Sequence, residues 1–179
     1  MEFRRREIFT GKSFDVPTHI VRLDGKKVHG WQLRYGKRTL FSDHSTDGTG
    51  ADTALTAATA ELARRITKLP APHGIRSAMK EGKINDMPVG ISGPVTRTRE
   101  GYSAIQYYLQ VNYPTPGGKP ANRSVYIANE NTLTPEKYQA AFAKAVALRD
   151  TGVRKFKLAA TKAKREQAGL SSLATTRAA

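Results

Sequence analysis

"GYSAIQYYLQVNY", residues 101–113, decides the fold of the second half of this chain. From residue 105 onwards apolar and polar side chains alternate, and this period of two is typical of a β-strand with one buried side. One side holds Ile105, Tyr107, Leu109 and Val111, and the other holds Gln106, Tyr108 and Gln110. The second side is too polar for a core and too poor in charge for a simply solvated surface. It is therefore either a binding surface or an open sheet face with tyrosines as cross-strand filler, and a register shift of one residue would exchange the two sides.

The flanking sequence completes a small folding unit around this strand. Residues 89–98 and 122–128 read as further strands, and "TPEKYQAAFAKAVALRD" at 134–150 reads as a helix. Thr134 is suited to cap that helix and Pro135 to occupy its first position. The same order occurs earlier in the chain, with strands at 18–23, 28–35 and on to 41, and a helix in "ADTALTAATAELARRITKL" at 51–69.

We therefore predict an α+β fold of two units, each a three-stranded antiparallel sheet packed on one α-helix, followed by a basic C-terminal tail. The first unit, with an N-terminal arm, covers residues 1–68, and the second covers residues 89–152. Residues 69–88, which are bounded by prolines, form a linker with one helical turn at about residues 76–81. Residues 153–179 form the basic tail, with a short helix at 158–167 and disorder in the last ten residues.

The charge of the chain indicates a polyanionic partner. Thirty Lys and Arg against fifteen Asp and Glu give a net charge of +15, and a surplus of this size favours nucleic acid. Residues 153–179 carry seven basic residues and one acidic residue, but the remaining segments are also basic. The folded parts are therefore expected to face phosphate as well as the tail. The alternative is a basic protein whose charge serves solubility alone.

The sequence favours a cytoplasmic, nucleoid-associated protein that is not an enzyme. It contains no membrane-spanning stretch of about 20 apolar residues and no secretory signal pattern. There is no cysteine, which excludes disulfides and thiolate chemistry. The four histidines are scattered, and "DGTGADT" at 47–53 lacks a phosphate-binding lysine, so we expect no metal, no cofactor and no catalytic site.

The second unit resembles the ethylene-response-factor (apetala-type) DNA-binding domain, in the variety found in phage and mobile-element proteins. The resemblance rests on "GISGPV" at 90–95, "GYSA" at 101–104, "SVYI" at 124–127 and the alanine-rich helix "KYQAAFAKAVALRD" at 137–150. It covers residues 89–152 and, more weakly, residues 18–68, which makes the chain a tandem repeat. In that family the sheet enters the major groove. The resemblance implies DNA contacts by Arg97, Arg99, Gln106 and Tyr126 in the second unit, and by Gln32 and Arg34 in the first. It also implies a role in transcription regulation or DNA architecture.

The candidate DNA-binding residues combine this resemblance with the hydrogen-bonding groups of the predicted outer faces, because glutamine and arginine can read base edges. They are Arg22, Gln32, Arg34, Arg38, Arg97, Arg99, Gln106, Tyr108, Gln110, Arg123, Ser124 and Tyr126. The candidate phosphate contacts are Arg154, Lys155, Lys157, Lys162 and Lys164.

Double-stranded DNA is the expected partner, and two alternatives stay open. An RNA-binding protein would stack unpaired bases on Tyr102, Tyr108 and Tyr126. A protein-interaction module would use the basic surface to inhibit a host nucleic-acid enzyme.

Overall fold

The computed structural model describes residues 1–26, 28–76, 87–98, 101, 104–116 and 118–169. Within them the chain forms an α+β fold of three antiparallel sheets and two helices. It divides into two compact units. Unit 1 comprises Met1–Pro72 together with the chain from Thr161 onwards, and unit 2 comprises His73–Ala160.

Unit 1 contains two sheets and one complete helix. Strands β1 (Phe3–Glu7) and β2 (Ser13–Pro17) form a hairpin. Strands β3 (Ile20–Asp24), β4 (His29–Leu33) and β5 (Thr39–Ser42) form a three-stranded sheet in that order. Helix α1 (Ala51–Lys68) packs on this sheet.

The core of unit 1 is centred on Trp31, which is fully buried and donates its indole N–H to the carbonyl of Ala51 at 2.8 Å. Leu33, Leu62 and Ile66 surround it in the same cluster. The sequence does not predict the hairpin β1–β2. All five residues of β1 are exposed, so this strand has no apolar alternation that could reveal it.

Unit 2 is built from β6 (Ile91–Arg97), β7 (Gln106–Tyr113), β8 (Ala121–Asn129) and the part of helix α2 (Pro135–Gln167) that ends at Ala160. Its three strands pair antiparallel in chain order, as predicted. Leu109 and Val111 of β7 are fully buried in one cluster with Ala141 and Ala145 of α2. The apolar side of β7 therefore faces the helix, and the predicted division of its two sides is confirmed.

Helix α2 differs from the prediction because it is one helix of 33 residues, where the sequence indicates a helix, a break and a basic tail. Gly152 is the last residue of the predicted second unit. In the structure it lies inside the helix, where a Cβ atom added to it would lie 2.6 Å from Cγ of Tyr113. Gly152 therefore provides space for a tyrosine ring rather than ending the helix. From Thr161 onwards the helix belongs to unit 1.

Two further predictions fall mostly on residues that the structure does not describe. The helical turn at 76–81 lies almost wholly in residues 77–86, and the disorder expected at the C-terminus concerns residues 170–179. In the described part of the chain, neither helix combines the length and the apolar character that crossing a membrane requires.

Candidate nucleic-acid interface

The outer side of the unit 2 sheet gathers polar and aromatic side chains from all three strands. Opposite residues of paired strands share a side, and Gln106 of β7 lies opposite Arg97, Tyr108 opposite Tyr126, and Gln110 opposite Ser124. We call this surface the tyrosine face, and its members are Arg97, Gln106, Tyr108, Gln110, Ser124 and Tyr126. Its residues range from half-buried to exposed. Six of the predicted site residues are thereby brought together.

Hydrogen bonds connect the polar members across the strands. Arg97 donates from Nη2 to Oγ of Ser124 at 2.9 Å, and Ser124 in turn donates to Oε1 of Gln110 at 3.3 Å. Along β7 the hydroxyl of Tyr108 donates to Oε1 of Gln106 at 2.6 Å. Each glutamine therefore uses its carbonyl oxygen within the face.

The aromatic rings lie at the centre of the tyrosine face. Tyr108 and Tyr126 meet edge to face with centroids 5.4 Å apart, and the Arg97 guanidinium lies 5.0 Å from the centroid of Tyr108. Edge-to-face rings and a cation over a ring are both mildly attractive arrangements. They hold the arginine above the sheet, while Tyr126 remains 49% exposed.

Two interruptions of pairing shape the edges of this face. The register of β6 against β7 shifts between Ser92 and Val95, and that of β7 against β8 shifts next to Tyr107. Such bulges bend a strand and increase its local twist. Neither bulge exchanges the two sides of β7, because Tyr107 before the second shift packs against the same core cluster as Leu109 and Val111 after it.

Arg123 and Arg99 are the two unit 2 candidates outside the tyrosine face. Arg123 lies opposite Val111, which places it on the side that faces the helix, although its side chain is exposed. Arg123 therefore lies outside the tyrosine face, because neighbouring residues of a strand such as Arg123 and Ser124 point to opposite sides. Arg99 lies outside the described residues, as does Tyr102.

The outer side of the unit 1 sheet repeats the pattern only in part. Gln32 and Arg34 lie on the side away from the buried Trp31, and Arg34 donates from Nε to Oε1 of Gln32 at 2.7 Å. Across the strands, however, Gln32 is flanked by Val21 and Leu40. Gln32 therefore has an apolar neighbour on each side, whereas Tyr108 at the centre of the tyrosine face has Val95 on one side and Tyr126 on the other. Arg38 is exposed in the turn between β4 and β5 and is not part of a strand.

Arg22 is on the wrong side for the predicted contact. It lies opposite Trp31 in the register and is 6% exposed. Its guanidinium lies 4.9 Å from the Trp31 ring centroid and donates to both carboxylate oxygens of Asp43 at 2.9 and 2.6 Å. The sequence does not reveal this partner because Asp43 follows Arg22 by 21 residues.

The ion pairs around Arg22 shift the ionisation of its neighbours. Burial alone would lower the pKa of Arg22, but the hydrogen bonds to Asp43 and Asp24 outweigh it and raise this pKa. Burial would likewise raise the pKa of Asp24, but the hydrogen bonds from Arg22 and His29 lower it. All these changes favour the charged forms, so the cluster is a structural ion-pair network.

The predicted phosphate contacts lie along the second half of α2. Arg154, Lys155, Lys157 and Lys162 are exposed, and Lys164 is half-buried. Lys162 also lies 3.8 Å from Glu166, one helical turn later, in an exposed pair. The helical structure gives these cations fixed spacing that a disordered tail would lack.

Sequence reasoning misses a second basic element. Arg4, Arg5 and Arg6 are consecutive exposed residues of β1. The run of three arginines is the available signal, but without apolar alternation it reads as part of an arm. Within the described residues, no group of three or more histidines, aspartates and glutamates is arranged so that it could hold a metal ion.

Comparisons with known proteins identify no relative of this chain. No protein-family model, curated protein or solved structure matches this chain. The resemblance to the apetala-type domain therefore rests on the quoted sequence motifs alone.

Proposed function

We propose that this chain is a double-stranded-DNA-binding protein without enzymatic activity, and that its tyrosine face enters the major groove. The observation that carries the proposal is the set of hydrogen bonds and ring contacts that joins Arg97, Ser124, Gln110, Tyr108 and Gln106 on one accessible sheet surface. A net charge of +15 supplies the general attraction to phosphate.

The dimensions of the sheet suit this mode of binding. With neighbouring strands about 4.8 Å apart, three strands span about 10 Å between their outer backbones. The major groove of B-DNA is about 12 Å wide and admits β-structure. The central strand β7 would then approach the base edges, and β6 and β8 would lie beside the two phosphate backbones.

Each group of the tyrosine face has a suitable role in the groove. Arg97 can donate to the two acceptors of guanine, and Gln110 can pair with adenine through its amide. Ser124 links these two side chains, because it accepts a hydrogen bond from Arg97 and donates one to Gln110. The link holds them near the required positions before binding, which lowers the entropy lost on association. Tyr126 can contact a thymine methyl group or the sugar-phosphate backbone.

The two units are proposed to act together as linked readers, each with a three-stranded sheet and a helix. The first contributes Gln32, Arg34 and Arg38, and the basic residues of α2 bind phosphate. Linked modules gain affinity through effective concentration even where each binds weakly alone. A regulatory or architectural role in a phage or mobile element is the role that the apetala-type resemblance implies.

Selection of binding sites from random duplexes, followed by two matched arginine variants, tests the proposal. Arg97→Ala should reduce the preference for the selected site by about 1–3 kcal/mol, because it removes a hydrogen-bonding group from the base edges. Arg123→Ala also removes an exposed arginine from an edge strand of the same sheet, but from the other side. It should leave that preference unchanged. Equal reductions of preference in the two variants would contradict reading by the tyrosine face.

Binding of single-stranded RNA is the second candidate, favoured by the 49% exposure of Tyr126. An exposed ring can stack an unpaired base, which contributes about 1–3 kcal/mol. Competition between the selected duplex and random single-stranded RNA separates the two functions. If RNA displaces the duplex by a wide margin, the proposal that the tyrosine face reads the major groove is wrong. If neither nucleic acid binds in a salt-dependent manner and an acidic protein is retained stoichiometrically, the surface serves protein interaction.

A further inference from the structure

A cavity of about 430 Å³ lies in unit 2 beside the end of β7. Its walls are mainly apolar and aromatic, with Ile75, Val89, Tyr113, Pro114 and Phe156 among them. Arg149 of α2 also lines it. The volume lies in the range of about 300–1,000 Å³ that is usual for small-molecule sites.

The arginine in this cavity is only partly paired. Its side chain is 15% exposed, and Nε is buried without a hydrogen-bond partner in the described part of the chain. Nη1 lies 3.7 Å from a carboxylate oxygen of Asp150, and Nη2 lies 3.5 Å from the carbonyl oxygen of Arg76. Both contacts are long. The carboxylate of Asp150 also lies in water, because this side chain is 68% exposed.

Two other arginines of the same chain provide a comparison, since both are fully paired. Arg22, 6% exposed, has short bonds of 2.9 and 2.6 Å to the buried carboxylate of Asp43. Arg65, 11% exposed, bonds Glu61 at 2.7 Å, Thr39 at 2.6 Å and the backbone carbonyl of Tyr35 at 3.0 Å. A charge taken out of water without such partners is strongly unfavourable. Arg149 therefore has unused capacity for an anion.

The backbone around the cavity is shaped to accommodate this arginine. Gly90 has a φ of +84°, and a Cβ atom there would lie 2.7 Å from Nε of Arg149. The backbone at residue 90 thus lies directly beside the guanidinium, and its positive φ favours glycine at this position. Gly90 also accepts a 2.7 Å hydrogen bond from the backbone N–H of Asn112, which ties this edge of the cavity to β7.

We infer that this cavity is a binding site for a small organic carboxylate with an apolar body. The carboxylate would pair with Arg149, and the apolar body would lie against Val89, Tyr113 and Phe156. A charge-assisted pair would give the guanidinium an acidic partner closer than Asp150. This inference does not rest on the proposed DNA binding, since the site is separate from the six residues of the tyrosine face.

The test uses the full chain without nucleic acid. Benzoate and 2-naphthoate serve as probes, benzamide and 2-naphthamide as uncharged analogues, and inorganic phosphate as an anion without an apolar body. Titration followed by amide chemical shifts should place the largest changes at Gly90, Asn112 and Tyr113. The carboxylates should bind about 10- to 100-fold more tightly than the amides, as expected for a hydrogen bond to a charged group.

Two variants complete the test. Arg149→Met keeps an apolar side chain of similar length and should abolish the preference for carboxylate over amide. Arg123→Met, an exposed arginine outside the cavity lining, should retain it. Should Arg149→Met fail to fold, the shifts in the unaltered protein still decide the question. Carboxylates that cause no shifts at the cavity, that bind no better than their amides, or that bind no better than phosphate would each overturn the inference.

Discussion

At the residue scale, Arg22 illustrates how a cation expected on the surface can belong to the core. Its guanidinium pairs with Asp43, whose side chain is fully buried. Arg22→Ala leaves that carboxylate buried and unpaired, and we expect it to lower the free energy of unfolding by about 3–5 kcal/mol. Urea denaturation followed by fluorescence of the single tryptophan, which contacts Arg22, measures the decrease.

Arg34→Ala is the matched control for that measurement. Arg34 is exposed on the opposite side of the same sheet, and within the described residues its side chain bonds only Gln32. The substitution should change stability by less than about 0.5 kcal/mol. A similar small change in both variants would mean that the Arg22–Asp43 pair contributes little to the fold.

Glu61 provides a residue-scale prediction of pH dependence. Hydrogen bonds from Arg64 and Arg65 lower the pKa of Glu61 to about 2. Because this pKa is depressed in the folded state, the associated stability is fully present above the ordinary carboxyl value of about 4.5 and is lost as the pH falls towards 2. Glu61→Gln should therefore unfold with a shallower dependence on pH between about 4.5 and 2 than the unaltered chain. Parallel slopes in urea denaturation over that range would contradict the assignment.

At the scale of secondary-structure elements, helix propensity and side-chain packing predict stability changes of opposite sign for the substitution Gly152→Ala. Alanine is favoured over glycine in a helix interior by about 1 kcal/mol. However, a Cβ atom at residue 152 would lie 2.6 Å from Cγ of Tyr113, so the ring would have to move. We expect Gly152→Ala to destabilise unit 2 by about 1–3 kcal/mol, as overpacking does.

A double-mutant cycle separates the two effects on α2. In a Tyr113→Ala background the obstructing ring is gone, and Gly152→Ala should become neutral or stabilising. Urea denaturation monitored by circular dichroism gives the four stabilities. If Gly152→Ala is stabilising with Tyr113 present, the ring does not pack on the helix at this position.

The elements that the sequence predicts are those with a periodic apolar signal. Strand β7 alternates between Leu109 or Val111 and Gln110, and helix α1 repeats Leu62 and Ile66 at helical spacing, so both are predictable. Strand β1 is exposed throughout and has no such signal. The length of α2 escapes prediction because a glycine inside a helix reads as a stop unless its partner, here Tyr113, is known.

For the molecule as a whole, the sequence does not predict how the outer sides of the two three-stranded sheets differ in chemistry. The alternation in β4 correctly separates Gln32 from Trp31, but cross-strand neighbours depend on register. Val21 and Leu40 flank Gln32, whereas Asn129 and Ser124 of β8 lie opposite the two glutamines of β7. The two sheets share a strand order and differ in the chemistry of their outer sides. Of the two proposed readers, we therefore expect unit 2 to contribute more of the base contacts than unit 1.

The excess charge of the whole chain leads to the last prediction, which concerns salt. Removal of one phosphate contact should flatten the slope of log binding constant against log salt concentration by about 0.9. The triple substitution of Arg154, Lys155 and Lys157 by glutamine should flatten this slope on selected and random duplexes alike, because phosphates carry no sequence information. Lys144→Gln, an exposed position earlier in α2, is the control for a cation outside the proposed contacts. An unchanged slope in the triple variant would show that these three residues do not bind phosphate. The salt dependence would then have to come from other basic residues, such as Lys162 and Lys164 of α2 or Arg4, Arg5 and Arg6 of β1.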